Sequence, residues 1–242
     1  MIRLTAGRLD RVVALGAHCD DIAIGAGGTL LATCLSRPGI RVDALVLSGG
    51  GSEREEEERA ALAAFCPGAD LDVTVLKLPD GRLPAHWDEA KGALEDLRAR
   101  TDPDVVFAPR TGDAHQDHRG LATLVPTAFR DHLVLGYEIV KWDADLTPPN
   151  TYQPMSAELA EKKVTLLQQH YASQRHRPWY DREAFLGLAR IRGIECQVRY
   201  AEAFHVTKQI LDLEECLEGR LPDTQRPEGV LPGGKEGRCA SC

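Results

Sequence analysis

The sequence contains no apolar stretch long enough to cross a lipid bilayer, and it does not open with a basic segment followed by an apolar one. Aromatic residues make up only 5% of the chain, and acidic residues outnumber basic ones by 37 to 29, for a formal net charge of −8. This charge disfavours general binding to nucleic acids or anionic membranes. We therefore expect a cytoplasmic protein with no nucleic-acid or membrane partner.

The seven cysteines lack the even number and regular spacing of a disulfide framework. Cys239 and Cys242 form a C-x-x-C, but a structural zinc site usually needs four ligands and no second C-x-x-C is present. We interpret them as a pair of tail thiols. The sequence also lacks G-x-G-x-x-G and G-x-S-x-G. The glycines at 25, 27 and 28 are therefore interpreted as positions of close helix-to-sheet packing.

Short apolar runs alternate with helical patterns along the first part of the chain. Strands are predicted at 12–16, 42–47, 71–76, 105–108 and 133–140, and helices at 22–37, 53–65, 87–100 and 119–129. The second half is less regular, with predicted helices at 156–169 and 182–192 and a late strand at 200–206. The alternation predicts an α/β fold with a mostly parallel, doubly wound sheet and helices on both faces.

The chain is expected to hold one domain at 1–206 and a C-terminal extension at 207–242. From residue 219 onward, glycine and proline are so frequent that an extended tail is predicted.

Three polar side chains, His18, Asp20 and Asp21, lie on the turn that follows the first predicted strand, and His118 follows the fourth. Ligands of open α/β sheets bind at the carboxyl ends of strands, and the loops of neighbouring strands converge there. If these two strands are neighbours, His18, Asp21 and His118 form a two-histidine, one-carboxylate site. That donor set is typical of catalytic Zn²⁺ and also resembles the facial triad of Fe²⁺, so the metal stays open.

Three further residues complete the predicted catalytic group. Asp20 is not needed as a ligand, and a carboxylate beside a metal can act as a general base toward water. His115 is predicted to face the substrate, where an imidazolium can stabilise an oxyanion or protonate a leaving amine. Asp117 is predicted to hold His115 in its charged form. Together these residues indicate metal-assisted hydrolysis of a carbonyl bond.

Two short motifs resemble signatures of the LmbE-like, or PIG-L, family of metal-dependent N-deacetylases. Residues 17–21, Ala-His-Cys-Asp-Asp, are similar to the family's Ala-His-Pro-Asp-Asp, and residues 115–118, His-Gln-Asp-His, to its His-Pro-Asp-His. Further similarities follow in the family's order between residues 10 and 206. They comprise Arg54 with Glu57 and Ala61, the Leu-Pro-Asp-Gly at 78–81, the stretch at 156–174 and the Tyr-Ala-Glu-Ala-Phe at 200–204.

The resemblance implies a Rossmann-like fold and removal of an N-acetyl group from an amino sugar or a related amine. It implies that Asp20 is the general base, that Arg54 contacts substrate, and that zinc is bound by His18, Asp21 and His118.

The sequence departs from the family pattern where Cys19 and Gln116 replace two prolines. Neither proline is a ligand, so we expect the chemistry to be kept, and we interpret Cys19 as a packing residue or a site liable to oxidation.

Other polar residues near this predicted site have less definite roles. Asp80 and Asp113 lie on loops, where they either bind substrate or cap turns. The run at 54–59 is interpreted as a mostly solvated helix face on which only Arg54 is functional. The rim loops expected to determine the substrate are 48–54, 79–88, 110–114 and 143–153.

The sequence-based hypothesis is a zinc-dependent amidase that acts on a small N-acylated molecule. A homo-oligomeric assembly and a role in secondary metabolism are further hypotheses. Two alternatives remain open. One is a non-catalytic nucleotide-binding Rossmann protein. The other is an enzyme of the same architecture with altered chemistry, either an amide hydrolase of a thiol or amino-acid conjugate or an iron-dependent oxygenase.

Overall fold

A computed structural model describes residues 3–5, 7 and 9–210. The predicted Gly/Pro-rich tail and its C-x-x-C lie outside the described residues. The described residues up to Gln209 belong to one unit.

Seven strands form one sheet in the order β3-β2-β1-β4-β5-β7-β6. Their bounds are β1 Arg11–Gly16, β2 Arg41–Ser48, β3 Asp70–Leu78, β4 Val105–Pro109, β5 Leu133–Tyr137, β6 Thr151–Met155 and β7 Tyr200–His205. The first five strands are parallel, whereas β7 runs antiparallel to both β5 and β6. The mostly parallel α/β sheet predicted from the sequence is therefore confirmed.

Within the described residues, six α-helices cover the two faces of this sheet. They are α1 Asp21–Ser36, α2 Glu53–Phe65, α3 Trp87–Arg100, α4 Gln116–Ala128, α5 Ala157–His170 and α6 Arg182–Glu195. Because side chains alternate along a strand, Val12 of β1 faces the core shared with α1, α2, α5 and α6, whereas Val13 faces the core shared with α3 and α4. Burial on both sides explains the continuously apolar strands of the sequence.

The strand order reverses direction between β1 and β4. Val12 pairs with Val105 in parallel register, so the turns after these two strands lie side by side. The neighbouring strands expected from the sequence are thereby confirmed. Such a reversal leaves a crevice at the carboxyl edge of the sheet, where open α/β proteins bind their ligands.

Close packing of α1 on the sheet confirms the interpretation of Gly25 and Gly28 but not of Gly27. A Cβ at Gly25 would collide with the Tyr137 ring of β5, and one at Gly28 would collide with Met155 of β6. Gly27 faces helix α2, where a Cβ would approach the Phe65 ring to 2.8 Å. Since any larger residue would push α1 outward, these glycines keep the start of the helix close to the crevice.

Three predicted boundaries were wrong. The strand predicted at 133–140 ends at Tyr137, and the rim loop predicted at 143–153 already contains the start of β6. β6 includes Pro154, which a sheet tolerates because β6 is an edge strand. Helix α4 begins at Gln116 rather than 119, so His118 lies inside its first turn.

Among the residues that the structure describes, no helix is long and apolar enough to span a membrane.

Candidate metal centre

The turn between β1 and α1 is folded around the Asp21 carboxylate. Its Oδ2 accepts hydrogen bonds from the backbone N–H groups of Ala17, at 3.0 Å, and His18, at 2.9 Å. Asp20 caps the helix with a φ of 111°, a left-handed conformation that few residues other than glycine adopt. Aspartate tolerates this region better than most residues. The turn thus directs His18 and Asp21 toward the crevice in a fixed arrangement.

The ligand atoms of His18, Asp21 and His118 converge at the carboxyl edge of the sheet. His18 Nδ1 lies 3.1 Å from His118 Nε2 and 3.5 Å from Asp21 Oδ2, and His118 Nε2 lies 3.2 Å from Asp21 Oδ1. Atoms that share a tetrahedral zinc ion are roughly 3.3 Å apart, given ligand distances of about 2.0–2.1 Å. All three side chains are buried. Their spacing and donor types therefore fit one small divalent cation.

Two other groups of potential ligands overlap this trio. Among the described residues, His115 offers a nitrogen that clusters with those of His18 and His118, and His18 also clusters with Asp80 and Asp117. The second group uses the opposite ring nitrogen, since Nε2 of His18 lies 3.0 Å from Asp80 Oδ1. Asp21 bridges Nδ1 of His18 and Nε2 of His118, so a carboxylate and two imidazole nitrogens are available on that side.

Each candidate histidine ligand has a carboxylate on its second ring nitrogen. Nε2 of His18 lies 3.2 Å from Asp117 Oδ2, and Nδ1 of His118 lies 3.0 Å from Asp113 Oδ2. A carboxylate in this position fixes the ring orientation and leaves the other nitrogen free for a metal.

Of the two roles left open for Asp113, the geometry fits the turn cap, because its Oδ1 accepts from the His115 backbone N–H at 2.7 Å. Its side chain is 1% exposed and lies behind His118, where Lys141 Nζ donates to it at 3.1 Å. Asp113 is therefore placed to orient a candidate ligand and is not among the residues that line the cavity.

Asp117 also has a different partner from the one expected. Its carboxylate accepts hydrogen bonds from the backbone N–H groups of Gly81, at 2.7 Å, and Leu83, at 3.0 Å, and it faces His18. It was expected to hold His115 in the charged form. Instead, the Asp117 backbone N–H donates to Nδ1 of His115 at 3.2 Å. Burial and the two neighbouring histidines lower the pKa of His115, which favours its neutral form in the metal-free protein.

Asp20 lies beside the trio without belonging to it. Its Oδ2 is 3.2 Å from Arg54 Nη2, and the same guanidinium group donates to the backbone carbonyl of Cys19. The pKa of Asp20 is raised to about 7, mainly by burial and also by the neighbouring Asp21, although the Arg54 guanidinium lowers it in part. A carboxylate whose pKa lies near neutrality is well suited to accept a proton from water.

Glu58 is a site residue that sequence reasoning missed. The interpretation of 54–59 as a solvated face is wrong for Glu58, which is 0% exposed. Its Oε2 accepts hydrogen bonds from the backbone N–H of Asp20, at 2.8 Å, and from the Tyr171 hydroxyl, at 2.7 Å. Burial raises the pKa of Glu58 to about 8.

A periodicity signal for Glu58 is present in the sequence. The buried residues of α2 recur at helical spacing, and they are Glu58, Ala61, Leu62 and Phe65. A 3.6-residue period therefore places Glu58 on the apolar face, four residues after Arg54.

Cys19 points away from the metal trio, so its interpretation as a packing residue is confirmed. The Sγ–H donates to the backbone carbonyl of Ser48 at 3.4 Å, and the side chain is buried. Gly49 covers the sulfur so closely that a Cβ there would approach it to 2.6 Å. Burial raises the pKa of the Cys19 thiol, which disfavours a metal-binding thiolate.

A cavity of about 150 Å³ opens beside these residues. Of the predicted substrate contacts, Arg54 and Asp80 line it. Its other walls include Asp143 of the predicted rim loop 143–153 and Gln174 of the stretch at 156–174. They also include residues that the sequence did not point to, namely Ile139, Lys141, Trp142, Arg177 and Trp179.

Comparisons with known proteins agree with this architecture. A family model described as PIG-L, GlcNAc-PI de-N-acetylase, matches residues 13–129. The uncharacterized deacetylase YaiS of Escherichia coli K12 is 30% identical over 179 residues, which cover 69% of this chain and 93% of YaiS.

Two solved structures have a similar fold. One is the N,N'-diacetylchitobiose deacetylase of Pyrococcus horikoshii, with a TM-score of 0.64 and 22% identity over 82% of this chain and 84% of that one. The other is GalB, the 4-carboxy-2-hydroxymuconate hydratase of Pseudomonas putida KT2440, with a TM-score of 0.68 and 18% identity over 86% of this chain and 100% of that one.

Proposed function

The chain belongs to the PIG-L family, and from that premise we propose that it is a metal-dependent N-deacetylase acting on a polar small molecule. The substrate is an N-acetylated amino sugar or a related amine carrying a small acyl group. The observation that carries the proposal is the convergence of His18, Asp21 and His118 within 3.5 Å of one another, with Asp20 beside them.

His18, Asp21 and His118 hold the metal, for which we propose Zn²⁺, with Fe²⁺ as the other divalent ion suited to this donor set. When bound, such an ion supplies Lewis-acid chemistry, which polarises a carbonyl and acidifies water.

Asp20 accepts the proton of the attacking water. Its burial keeps the carboxylate poorly solvated and therefore basic, while the Arg54 guanidinium at 3.2 Å favours its ionised form. The backbone hydrogen bond from Asp20 to Glu58 holds the turn so that this carboxylate faces the cavity.

His115 stands on the other side of the reacting carbonyl. Its ring centroid is 4.8 Å from those of both His18 and His118, and its side chain lines the cavity. Because Nδ1 accepts from the Asp117 backbone, Nε2 is the nitrogen that carries the proton in the neutral ring. Nε2–H is therefore the hydrogen-bond donor available to a developing oxyanion, while the proton that Asp20 has taken from the water passes to the leaving amine.

Acetate release from a panel of N-acetylated amino sugars, measured with Zn²⁺-loaded and Fe²⁺-loaded protein, tests the proposal. We expect stoichiometric acetate and free amine from at least one compound, with no oxygen uptake. Release of an amine only from acylated thiol or amino-acid conjugates would identify the alternative amide hydrolase. Oxygen consumption, or binding of adenine nucleotides without bound metal, would contradict the proposal.

A further inference from the structure

The part of the cavity away from the metal trio is built from two loop segments. Lys141, Trp142 and Asp143 follow β5, and Gln174, Arg177 and Trp179 lie between α5 and α6. The rings of Trp142 and Trp179 meet edge to face with centroids 6.4 Å apart. Two aromatic rings and one guanidinium group thus share a wall that none of the proposed catalytic steps uses.

Arg177 differs from the other cationic residues that line the cavity. Arg54 is paired with Asp20, and Lys141 Nζ lies 3.1 Å from Asp113 and 2.9 Å from Asp145. Arg177, in contrast, forms no ion pair within 4.0 Å among the described residues. Arg177 is therefore the one cation of this wall without a carboxylate partner in the described part of the chain, whereas Asp143, the carboxylate of the same wall, lies 3.9 Å from Lys141 Nζ.

The Arg177 guanidinium is nevertheless held in place. Its Nε donates to Gln174 Oε1 at 2.8 Å, and Gln174 Nε2 in turn lies 3.0 Å from Ser173 Oγ. Ser173 donates to Glu57 at 2.6 Å, which ties the chain of hydrogen bonds to α2. With Nε used in this way, both terminal nitrogens of Arg177 remain as donors on a pre-oriented fork.

A second unused donor lies on the same wall. Nε1 of Trp179 is buried and has no hydrogen-bond partner among the described residues. A buried donor without an acceptor is costly, and because Trp179 lines the cavity, the partner that we assign to Nε1 is an acceptor atom of a ligand bound there. Indole and guanidinium groups donate and never accept. The group that satisfies both must therefore be rich in acceptors.

We propose that Arg177 and Trp179 Nε1 form a subsite for an anionic substituent of the substrate, a carboxylate or a phosphate, flanked by the Trp142 ring. The inference rests on the proposed deacetylase function and adds the class of amide that the site selects. A planar guanidinium fork matches both anions. Asp20, Asp21 and Asp80 line the metal side of the cavity, so an anion is placed most favourably at the opposite wall, with the N-acyl group at the metal.

The subsite is tested with substrates that contain the same or a closely related amino sugar but differ in charge. Acetate release is measured for neutral N-acetylglucosamine, for its 1-phosphate and 6-phosphate, and for N-acetylmuramic acid, which carries a carboxylate. We expect kcat/KM for at least one anionic compound to exceed that for the neutral sugar by about 10- to 100-fold, as charge-assisted hydrogen bonds allow. The phosphate and carboxylate arms identify the preferred anion.

Variants assign the preference to Arg177. In Arg177→Gln we expect the ratio of kcat/KM for anionic substrates to kcat/KM for the neutral sugar to fall toward one, mainly through a higher KM for the anionic substrates. In Arg177→Lys this ratio should recover in part. Arg175→Gln is the matched control, because Arg175 is exposed, donates to the Gln168 carbonyl and lies outside the cavity wall. Equal rates for neutral and anionic sugars, or a ratio that Arg177→Gln leaves intact, would overturn the subsite.

A binding measurement separates this inference from the deacetylase proposal. The full-length protein is titrated with N-acetylglucosamine 6-phosphate and 1-phosphate by calorimetry, with and without a chelator. Binding that survives the chelator and weakens at least 10-fold in Arg177→Gln supports the subsite even if no compound releases acetate, an outcome that would contradict only the deacetylase. The subsite itself would be contradicted if neither phosphosugar bound in the presence of chelator and if the enzyme also turned over anionic and neutral sugars equally well.

Discussion

Two buried charge clusters of this protein differ in how completely their polar atoms are satisfied. The first, here called the packing cluster, joins Lys163 of α5 to Glu202 of β7. Lys163 Nζ donates to Glu202 Oε1 and to the Ile24 carbonyl, both at 2.6 Å. The Glu202 carboxylate also accepts from the N–H groups of Gly28 and Thr29 at 2.7 Å. Each oxygen of the Glu202 carboxylate therefore has a hydrogen-bond donor, and the negative charge of Glu202 is paired with the positive charge of Lys163.

The second cluster, here called the catalytic cluster, comprises Asp20, Asp21, Arg54 and Glu58. It brings together three carboxyl groups and one guanidinium. Glu58 Oε1 and Arg54 Nε are buried without partners among the described residues. Burial raises the pKa of both Asp20 and Glu58, which means that the fold holds these groups at a cost in stability.

The difference separates two uses of buried charge. A satisfied ion pair fixes the position of a helix against the sheet, whereas like charges in an unsatisfied group maintain reactivity. Substitutions should therefore affect the two clusters in opposite ways, and each prediction below tests one part of that contrast.

Asp20→Asn is expected to have the largest effect on activity. Removing a general base lowers kcat by roughly 10²- to 10⁴-fold. Because Asn removes a carboxylate that repels Asp21, the free energy of unfolding in chelator should stay equal or rise. Acetate release and urea denaturation of the same preparation check both expectations. Loss of stability parallel to loss of activity would show that Asp20 has a packing role.

Glu202→Gln should produce the opposite pattern. It leaves the Lys163 charge buried and unpaired, and breaking such a pair costs about 3–5 kcal/mol of unfolding free energy. Because Glu202 neither lines the cavity nor contacts the metal trio, kcat/KM of the folded fraction should remain within about threefold.

Glu161→Gln provides the matched control for that change. Glu161 also lies on α5, but it pairs at 2.5 Å with Arg182 on the exposed surface, where an ion pair contributes at most about 1 kcal/mol. Equal losses for the two variants would remove the distinction between buried and exposed pairs.

Glu58→Gln should change how stability depends on pH. The pKa of Glu58 in the folded protein, about 8, lies above its ordinary value of 4.5. The folded state therefore binds this proton more tightly than the unfolded chain, and its stabilising contribution decreases as pH rises from about 4.5 to about 8. Gln cannot ionise, so the unfolding free energy of the variant relative to that of wild type should rise by about 2–4 kcal/mol as the pH increases from 5 to 8.

Urea denaturation in chelator at pH 5, 6.5 and 8 measures that difference. Glu56→Gln is the control, since Glu56 is the exposed residue two positions earlier on α2. An unchanged difference between wild type and Glu58→Gln across these pH values would mean that Glu58 is ionised throughout.

Cys19→Ala should have the smallest effect. Its sulfur packs under Gly49 and donates one weak hydrogen bond, so we expect a loss of about 1 kcal/mol in stability and little change in kcat. A stoichiometric loss of bound metal in this variant would instead make the thiol a ligand.

The sequence predicted those parts of the molecule that local patterns determine. Buried parallel strands are continuous apolar runs, so β1 and β4 were recognisable, and the polar residues after them marked one edge of the sheet. His18, Asp21 and His118 followed from that edge, and the structure places their ligand atoms together.

The parts that were missed depend on contacts distant in sequence. The partner of the Asp117 carboxylate is decided by the backbone of Gly81 and Leu83, which no spacing within 115–118 reveals. β6 exists because β7 offers it an edge, although its own sequence contains Pro154. The environment of Glu58 depends on Tyr171 and on the turn at Asp20, and only helical period hinted at its burial.

The central claim is that two adjacent carboxylates have different roles: Asp21 binds the metal, and Asp20 accepts the proton of the attacking water. Metal content by atomic emission, measured together with acetate release for Asp20→Asn and Asp21→Asn, tests it most directly. We predict that Asp20→Asn retains about one divalent ion per chain while acetate release falls by at least about 10²-fold, and that Asp21→Asn loses the ion. Loss of the ion from Asp20→Asn, or its retention in an active Asp21→Asn, would contradict the claim.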